Sequence, residues 1–282
     1  MELFLQTYLL IPLAYFGLAI LVLVFSKLLN DWTTPYSVDE ELHEKDNPAL
    51  ALSFSGYILG VVIAFTGALL GPSQGLFMDI VMTGAYSLVG VILLNIARVV
   101  NDKLVLYKFS NVKEIIEDQN AGTGAVQFGA YIASALIIAG AINGQGGGPL
   151  TALTFFALGQ VFMALFAPIF CKFTPFDVHA EIEDDNIAAG AAFGGALIAI
   201  GMILMHASAG DFESWQYNLG IFAGEAVIGL ALLPLARFGF DKIAFPNADL
   251  QQEIKEDRNL GAGIMEACCL IGFAALLSVT FG

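Results

Sequence analysis

From Gln119 to Cys171 the chain contains no aspartate, glutamate, lysine or arginine, and Pro48 to Leu70 is equally free of charge. A helix that crosses a bilayer needs roughly 20 apolar residues at about 1.5 Å each, and runs of that length follow one another throughout. Composition agrees: 57% of residues are hydrophobic and 13% charged, where soluble domains carry about 45–50% and about 25%. The runs predict eight helices, near residues 8–29, 48–70, 78–100, 121–142, 150–171, 187–206, 216–237 and 260–281. The fold class expected is an all-α membrane protein with eight transmembrane helices. The first helix is read as a retained span and not a signal peptide. Met1-Glu2-Leu3-Phe4 is acidic where a signal peptide starts basic, and no small-x-small cleavage site follows cleanly.

The chain is also one unit written twice. Glu114-Ile115-Ile116-Glu117-Asp118-Gln119-Asn120-Ala121-Gly122 returns 139 positions later as Glu253-Ile254-Lys255-Glu256-Asp257-Arg258-Asn259-Leu260-Gly261. The same offset maps Arg98 onto Arg237, Asp102 onto Asp241, Lys103 onto Lys242, and Glu44, Asp46, Asn47 and Gly56 onto Glu183, Asp185, Asn186 and Gly195. Residues 1–143 and 144–282 are therefore expected to be two four-helix repeats. Four is even, so each repeat enters and leaves on one side, and the repeats share one topology instead of being inverted. Asn143-Gly144-Gln145-Gly146-Gly147-Gly148-Pro149 reads as a flexible linker between them. It lacks the Lys-Ser/Thr of a phosphate loop.

Lysine and arginine set the orientation. All eleven lie in or beside the connections between helices 1–2, 3–4, 5–6 and 7–8, while Gly71–Phe77, Asn143–Pro149, Ala207–Trp215 and both tails have none. Basic connections stay cytoplasmic, which puts both termini in the periplasm of a bacterial inner membrane. Glu2, Asp79, Asp211, Glu213, Glu225 and Glu266 are the carboxylates outside those connections. The rest make the inner face acidic, within a net charge of −15. Such a face repels nucleic acid and anionic headgroups and attracts cations or basic proteins; the plainer reading is a solvated acidic surface. Cys171, Cys268 and Cys269 read as free buried thiols.

Gly56-x-x-x-Gly60, Gly190-x-x-x-Gly194 and Gly220-x-x-x-Gly224 each put two glycines on one helical face, where helices in lipid approach closely. Asp46-Asn47-Pro48-Ala49-Leu50-Ala51-Leu52-Ser53-Phe54-Ser55-Gly56, with the Glu-Asp-x-Asn motif opening the fourth helix, resembles the bacterial inner-membrane family typified by YjfL, known as domain of unknown function 350. Single-unit members have four spans, and this chain looks like two such units fused. The resemblance implies an inner-membrane location and an association with envelope-stress or ATP-grasp peptide-ligase-like gene systems, and it brings no activity with it. The second half departs from the pattern: Ile187 replaces Pro48, and Glu225 and Glu266 stand where the first half has Tyr86 and Gln127.

Two constellations are candidates for function. Asn47, Asn120, Asn186 and Asn259 each open an even-numbered helix as N-caps, with Asp46, Asp118, Asp185 and Asp257 near the positive helix ends. Arg98–Asp102 and Arg237–Asp241 are spaced to pair at i, i+4. Read functionally, Glu114, Glu117 and Asp118 with Glu253, Glu256 and Asp257 would converge on a hydrated divalent ion or a polyamine. The second constellation is Glu225, placed near mid-membrane from its distance to Arg237, and Glu266, roughly 10 Å deep. A carboxylate there costs about 2.5–3.5 kcal/mol on insertion scales. Both are expected to be largely protonated, functional or bonded across a helix contact to Gln127 or Tyr86. Gln127, Gln160, Asn95 and Tyr86 either line a polar path or join helices. His43, His179 and His206 read as solvated.

The function expected is a channel or transporter for a cation or small cationic solute, with Glu225 and Glu266 in its path. The competing class is a non-transporting membrane scaffold that recruits a cytosolic partner. No zinc-type His-Glu pair, Ser-His set or nucleotide loop points to an enzyme, and no cofactor is expected. The bilayer surrounds the chain, and if single units pair, it would be a covalent dimer able to assemble further as a homo-oligomer.

Overall fold

The computed structural model describes residues 6–71, 73–244 and 249–281. Glu2, with the acidic start of the chain, lies outside them. A single turn of π-helix, Gln6–Leu10, leads into α1 (Ile11–Thr33). Then follow α2 (Val38–His43), α3 (Pro48–Leu69), α4 (Leu76–Leu104), α5 (Asn111–Ile116) and α6 (Ala121–Ala141). The second half gives α7 (Pro149–Phe173), α8 (Val178–Glu183), α9 (Ile187–Ser208), α10 (Trp215–Ala244), α11 (Leu250–Lys255) and α12 (Leu260–Phe281). The eight long helices are each apolar and long enough to span a bilayer, so this is a multi-pass transmembrane protein in contact with lipid.

The four six-residue helices α2, α5, α8 and α11 occupy the acidic connections that the sequence reading left without structure. Each is too short and too charged to show a hydrophobic period. Each is nevertheless capped, by Ser37, Ser110, Asp177 and Asp249 accepting from backbone N–H groups of its first turn. α4 and α10 also run further than expected, to Leu104 and Ala244. Arg98 and Arg237 therefore lie inside helices and not at their ends.

The long helices form two layers. α3 packs on α6, α6 on α9 and α9 on α12, a row in chain order. α1, α4, α7 and α10 form the second layer, with α4 touching α3 and α6, α7 touching α6 and α9, and α10 touching α9 and α12. The molecule is thus four successive hairpins, α1–α3, α4–α6, α7–α9 and α10–α12, each a second-layer helix, a short helix and a row helix. The offset of 139 reports only every second hairpin.

Glycine makes the row tight. A Cβ at Gly56 would stand 2.5 Å from Phe128 Cα, and one at Gly201 would stand 2.6 Å from Ala133 Cα. Gly194 faces Ala125 and Gly263 faces Ala188 just as closely. The first two Gly-x-x-x-Gly motifs lie in these contacts. The third does not: Gly220 and Gly224 have nothing within 4 Å, because they face outward from α10. The linker is not free either. Gln145 N donates to Asp211 Oδ1 at 2.7 Å, and Phe212 N donates to Gln145 O at 2.7 Å, tying the linker to the α9–α10 connection.

Overpacking a tight core costs typically about 1–3 kcal/mol. Gly201→Val should therefore lower the thermal unfolding temperature in detergent markedly, whereas Gly220→Ala should leave it unchanged or slightly raised. Equal effects would show that the row is not the tight element.

Candidate functional site

On the side that carries the lysines and arginines, the four hairpins are laced together by asparagine. Asn47, Asn120, Asn186 and Asn259 cap α3, α6, α9 and α12, accepting from Leu50, Thr123, Ala188 with Ala189, and Ala262 N–H groups. The residue before each has positive φ: Asp46 at 49°, Gln119 at 50°, Asp185 at 56° and Arg258 at 48°. Four non-glycine residues in the left-handed region at equivalent points mark one sharp turn used four times. The turn folds each short helix back so that its glutamate meets the capping asparagine. Glu41, Glu114, Glu181 and Glu253 accept from the Nδ2 atoms at 3.0, 2.8, 3.0 and 3.0 Å.

The same Nδ2 groups reach the next hairpin. Asn47 donates to Ile115 O at 2.8 Å, Asn120 to Ile182 O at 2.7 Å and Asn186 to Ile254 O at 2.9 Å. Each of these three side chains is at most 1% exposed, so their full complement of hydrogen bonds decides whether burial is tolerated. Asn259, at the end of the row, is exposed, and its Nδ2 donates to its own Glu253 alone among the described residues. The caps were legible in the sequence, but the glutamates and the lacing were not. The signal was the six-residue spacing of Glu41–Asn47, Glu114–Asn120 and Glu253–Asn259.

Electrostatics distinguish the copies. Burial raises the Glu114 carboxyl above its ordinary 4.5, against the Asn120 hydrogen bond. Burial acts on Glu41 in the same direction, but Lys45, at 2.6 Å, and Asn47 outweigh it and hold that carboxyl below 4.5. His179 is 3% exposed, with Nε2 2.8 Å from Val105 O, and burial lowers its pKa. It is a buried neutral imidazole and not the solvated one expected. His43 is exposed as expected.

The expected i, i+4 pairs do not form. Arg98 donates to Asn30 Oδ1 and Thr33 O, while Asp102 accepts from Asn111 and Gln127. Arg237 instead faces Glu266 on α12, Nε to Oε1 2.6 Å, and donates to Thr174 and Gln251. Its guanidinium lies 4.4 Å from the Phe170 ring centroid. Asp241 accepts from Leu250 N and meets Lys242. The arginines sit inside their helices, and their partners come from neighbouring elements instead of the next turn. Glu266 is fully buried, and its partners are Arg237 and Gln251. Neither Gln127 nor Tyr86 meets it, and Gln127 is bonded to Ser53 and Asp102.

Glu225 lies within about three turns of the Trp215 end of α10, bonded to His206 Nδ1 at 2.7 Å. The contact gives His206 a partner where a solvated ring was expected. Asn95 donates to Tyr57 and Val91, whereas Gln160 is buried with neither amide atom bonded among the described residues. Tyr86 lines an open far-side cavity of about 510 Å³ with Tyr15, Asp79 and Gln145. Smaller hollows of about 170 and 360 Å³ lie beside Arg98 with Asp102 and beside Arg237 with Asp241.

The acidic residues expected to converge do not. Asp118 pairs with Lys113 at 2.8 Å, Glu114 is turned inward to Asn120, and Glu256 accepts from Gln252. Glu117, Asp118, Glu256 and Asp257 are exposed, and no cluster of three or more His, Cys, Asp or Glu able to hold a metal occurs among the described residues. The cysteines are free, but none is buried as expected: Cys171 and Cys269 are partly exposed and Cys268 is exposed.

Removing one partner of a buried ion pair costs about 3–5 kcal/mol, and replacing both by apolar residues is often neutral. Glu266→Met should therefore destabilise strongly in detergent melts, and Arg237→Met combined with it should recover most of the loss. The ladder also has a pH signature. Because Glu114 has a raised folded pKa, its stability contribution falls as pH rises above 4.5. The contribution of Glu41 is present above 4.5 and lost as pH falls through its lowered value. Unfolding followed against pH should show the first dependence removed by Glu114→Gln and the second by Glu41→Gln.

The profile of the family described as Domain of Unknown Function (DUF350) matches residues 4–142 and again 146–281. A UPF0719 transmembrane protein of Aquifex aeolicus (strain VF5) is 22% identical over 276 residues, covering 95% of this chain and 99% of that protein. No solved structure matches.

Proposed function

The chain belongs to the DUF350 family through both of its halves, and on that premise we propose that it is a non-enzymatic membrane scaffold and not a conduit. It sits in the bacterial inner membrane with the lysine- and arginine-bearing side in the cytoplasm and both termini periplasmic, the orientation favoured by the confinement of all eleven basic residues to alternate connections. One observation carries the scaffold reading: the asparagine lacing holds four short helices in fixed register, with Glu117, Asp118, Glu256 and Asp257 exposed beside it. A rigid, repeated acidic surface suits a basic cytosolic polypeptide, whose lysines and arginines would meet several turns at once.

The alternative, a route for a cation or small cationic solute, draws its support from Glu225. Its polar neighbour is His206, and both are only partly exposed. Against it, Glu266 is fully buried on Arg237, and the row between the halves is closed by glycine-mediated contacts.

Reconstitution separates the two. Liposomes containing the protein should pass protons and potassium no faster than empty liposomes, with Glu225→Gln behaving identically. In nanodiscs the protein should bind a fluorescent oligolysine peptide. Joint neutralisation of Glu117, Asp118, Glu256 and Asp257 to their amides should abolish that binding while the melting temperature is kept. A flux that Glu225→Gln removes would overturn the scaffold reading.

A further inference from the structure

The hairpin row is open at both ends, and the two ends are complementary. Within the chain, α6 of the first half meets α9 of the second through Gly122 against Gly190, Gly129 against Gly194, and Ala133 against Gly201. Shifted by 139, the α6 positions become Gly261, Cys268 and Gly272 on α12. Shifted back by 139, the α9 positions become Ala51, Ser55 and Val62 on α3. All six of these residues are exposed. α12 buries five of its 22 residues, whereas α9, of equal length, buries sixteen. α12 is thus a row helix that lacks its next neighbour.

The polar groups repeat the pattern. Asp185 accepts from the Ala121 and Gly122 N–H groups at 2.8 and 3.4 Å, bridging the halves. Its counterpart Asp46 is exposed and has no hydrogen-bond partner among the described residues. The N–H groups that correspond to those of Ala121 and Gly122 are those of Leu260 and Gly261, at the start of α12. The Asn120 amide crosses to Ile182 O, and the Asn259 amide has no such crossing. The Leu42 carbonyl on α2 stands where Ile182 stands on α8.

We infer that α12 of one copy docks on α3 of a second copy, repeating the α6–α9 junction between chains. The occupant is a second copy because the missing partner surface is present, in register, at the other end of the same chain. In lipid such an interface is held by close small-residue packing and interhelical hydrogen bonds, and both are supplied here. The contact is head-to-tail, so it builds a closed ring or an open array according to the rotation per copy. It stands independently of any basic partner.

The native Cys268 supplies the test. Ser55→Cys is introduced with Cys171 and Cys269 changed to Ser, and native-membrane vesicles are oxidised with copper phenanthroline. α3 and α12 lie at opposite ends of the row, so a 55–268 disulfide joins two chains. Non-reducing gels should show the monomer band replaced by a ladder of multiples that collapses on reduction and disappears with Cys268→Ser. The control is Val227→Cys in the same background, on the exposed face of α10, which should stay monomeric. Where Ser55→Cys fails to accumulate, Ala51→Cys with Gly261→Cys and Cys268→Ser reads the same junction. A surface covered by lipid alone leaves both pairs monomeric, random collision links Val227→Cys equally fast, and symmetric pairing links Cys268 without Ser55→Cys. Each of those results overturns the inference.

Discussion

Every row helix begins at an asparagine, and in the first three hairpins both amide hydrogens of that carboxamide are used. Its oxygen takes the orphan amides of its own helix, one amide hydrogen binds the glutamate of its own short helix, and the other crosses to the next hairpin. Such a group can be buried only if all of these bonds form together, since an unpaired amide in a low-dielectric setting is costly. The asparagine therefore couples helix start, turn geometry and hairpin register in one residue. The left-handed turn before it and the folded-back short helix follow from the same requirement.

Above this laced end, the row is held by contact. Lipid offers no hydrophobic gain for bringing helices together, so proximity and dispersion decide. Glycines placed where neighbouring backbones touch let α3, α6, α9 and α12 approach more closely than side chains would allow. The second-layer helices fill the grooves on one face of the row. Polar residues that would be costly in hydrocarbon are resolved pairwise, Glu266 with Arg237 and Glu225 with His206. The architecture is close to one-dimensional, each hairpin depending on its neighbours, and such arrays expose their joining surfaces at both ends.

Local chemistry was easy to read in the sequence. N-caps act within three residues, and Asn47, Asn120, Asn186 and Asn259 were identifiable as caps without any tertiary information. Contacts between distant elements were not. Arg237 and Glu266 belong to different helices, and their pairing could not be read from either helix alone, just as the continuation of α10 to Ala244 could not. Gly220 and Gly224 have the spacing of a packing motif but the wrong azimuth on α10, and spacing carries no azimuth relative to neighbours.

The sequence by itself determined that the chain spans a membrane eight times in two like halves, because charge-free length and a repeated register are one-dimensional properties. Only the tertiary structure decided that each of the two units is a pair of hairpins, and that Glu266 is an ion-paired residue. It alone also showed that, among the described residues, the acidic turns bring no three carboxylates close enough to hold a metal. Those outcomes depend on which helix lies beside which. In lipid that choice is made by backbone fit and the pairing of buried polar groups, and neither is written in the order of residues along a single helix.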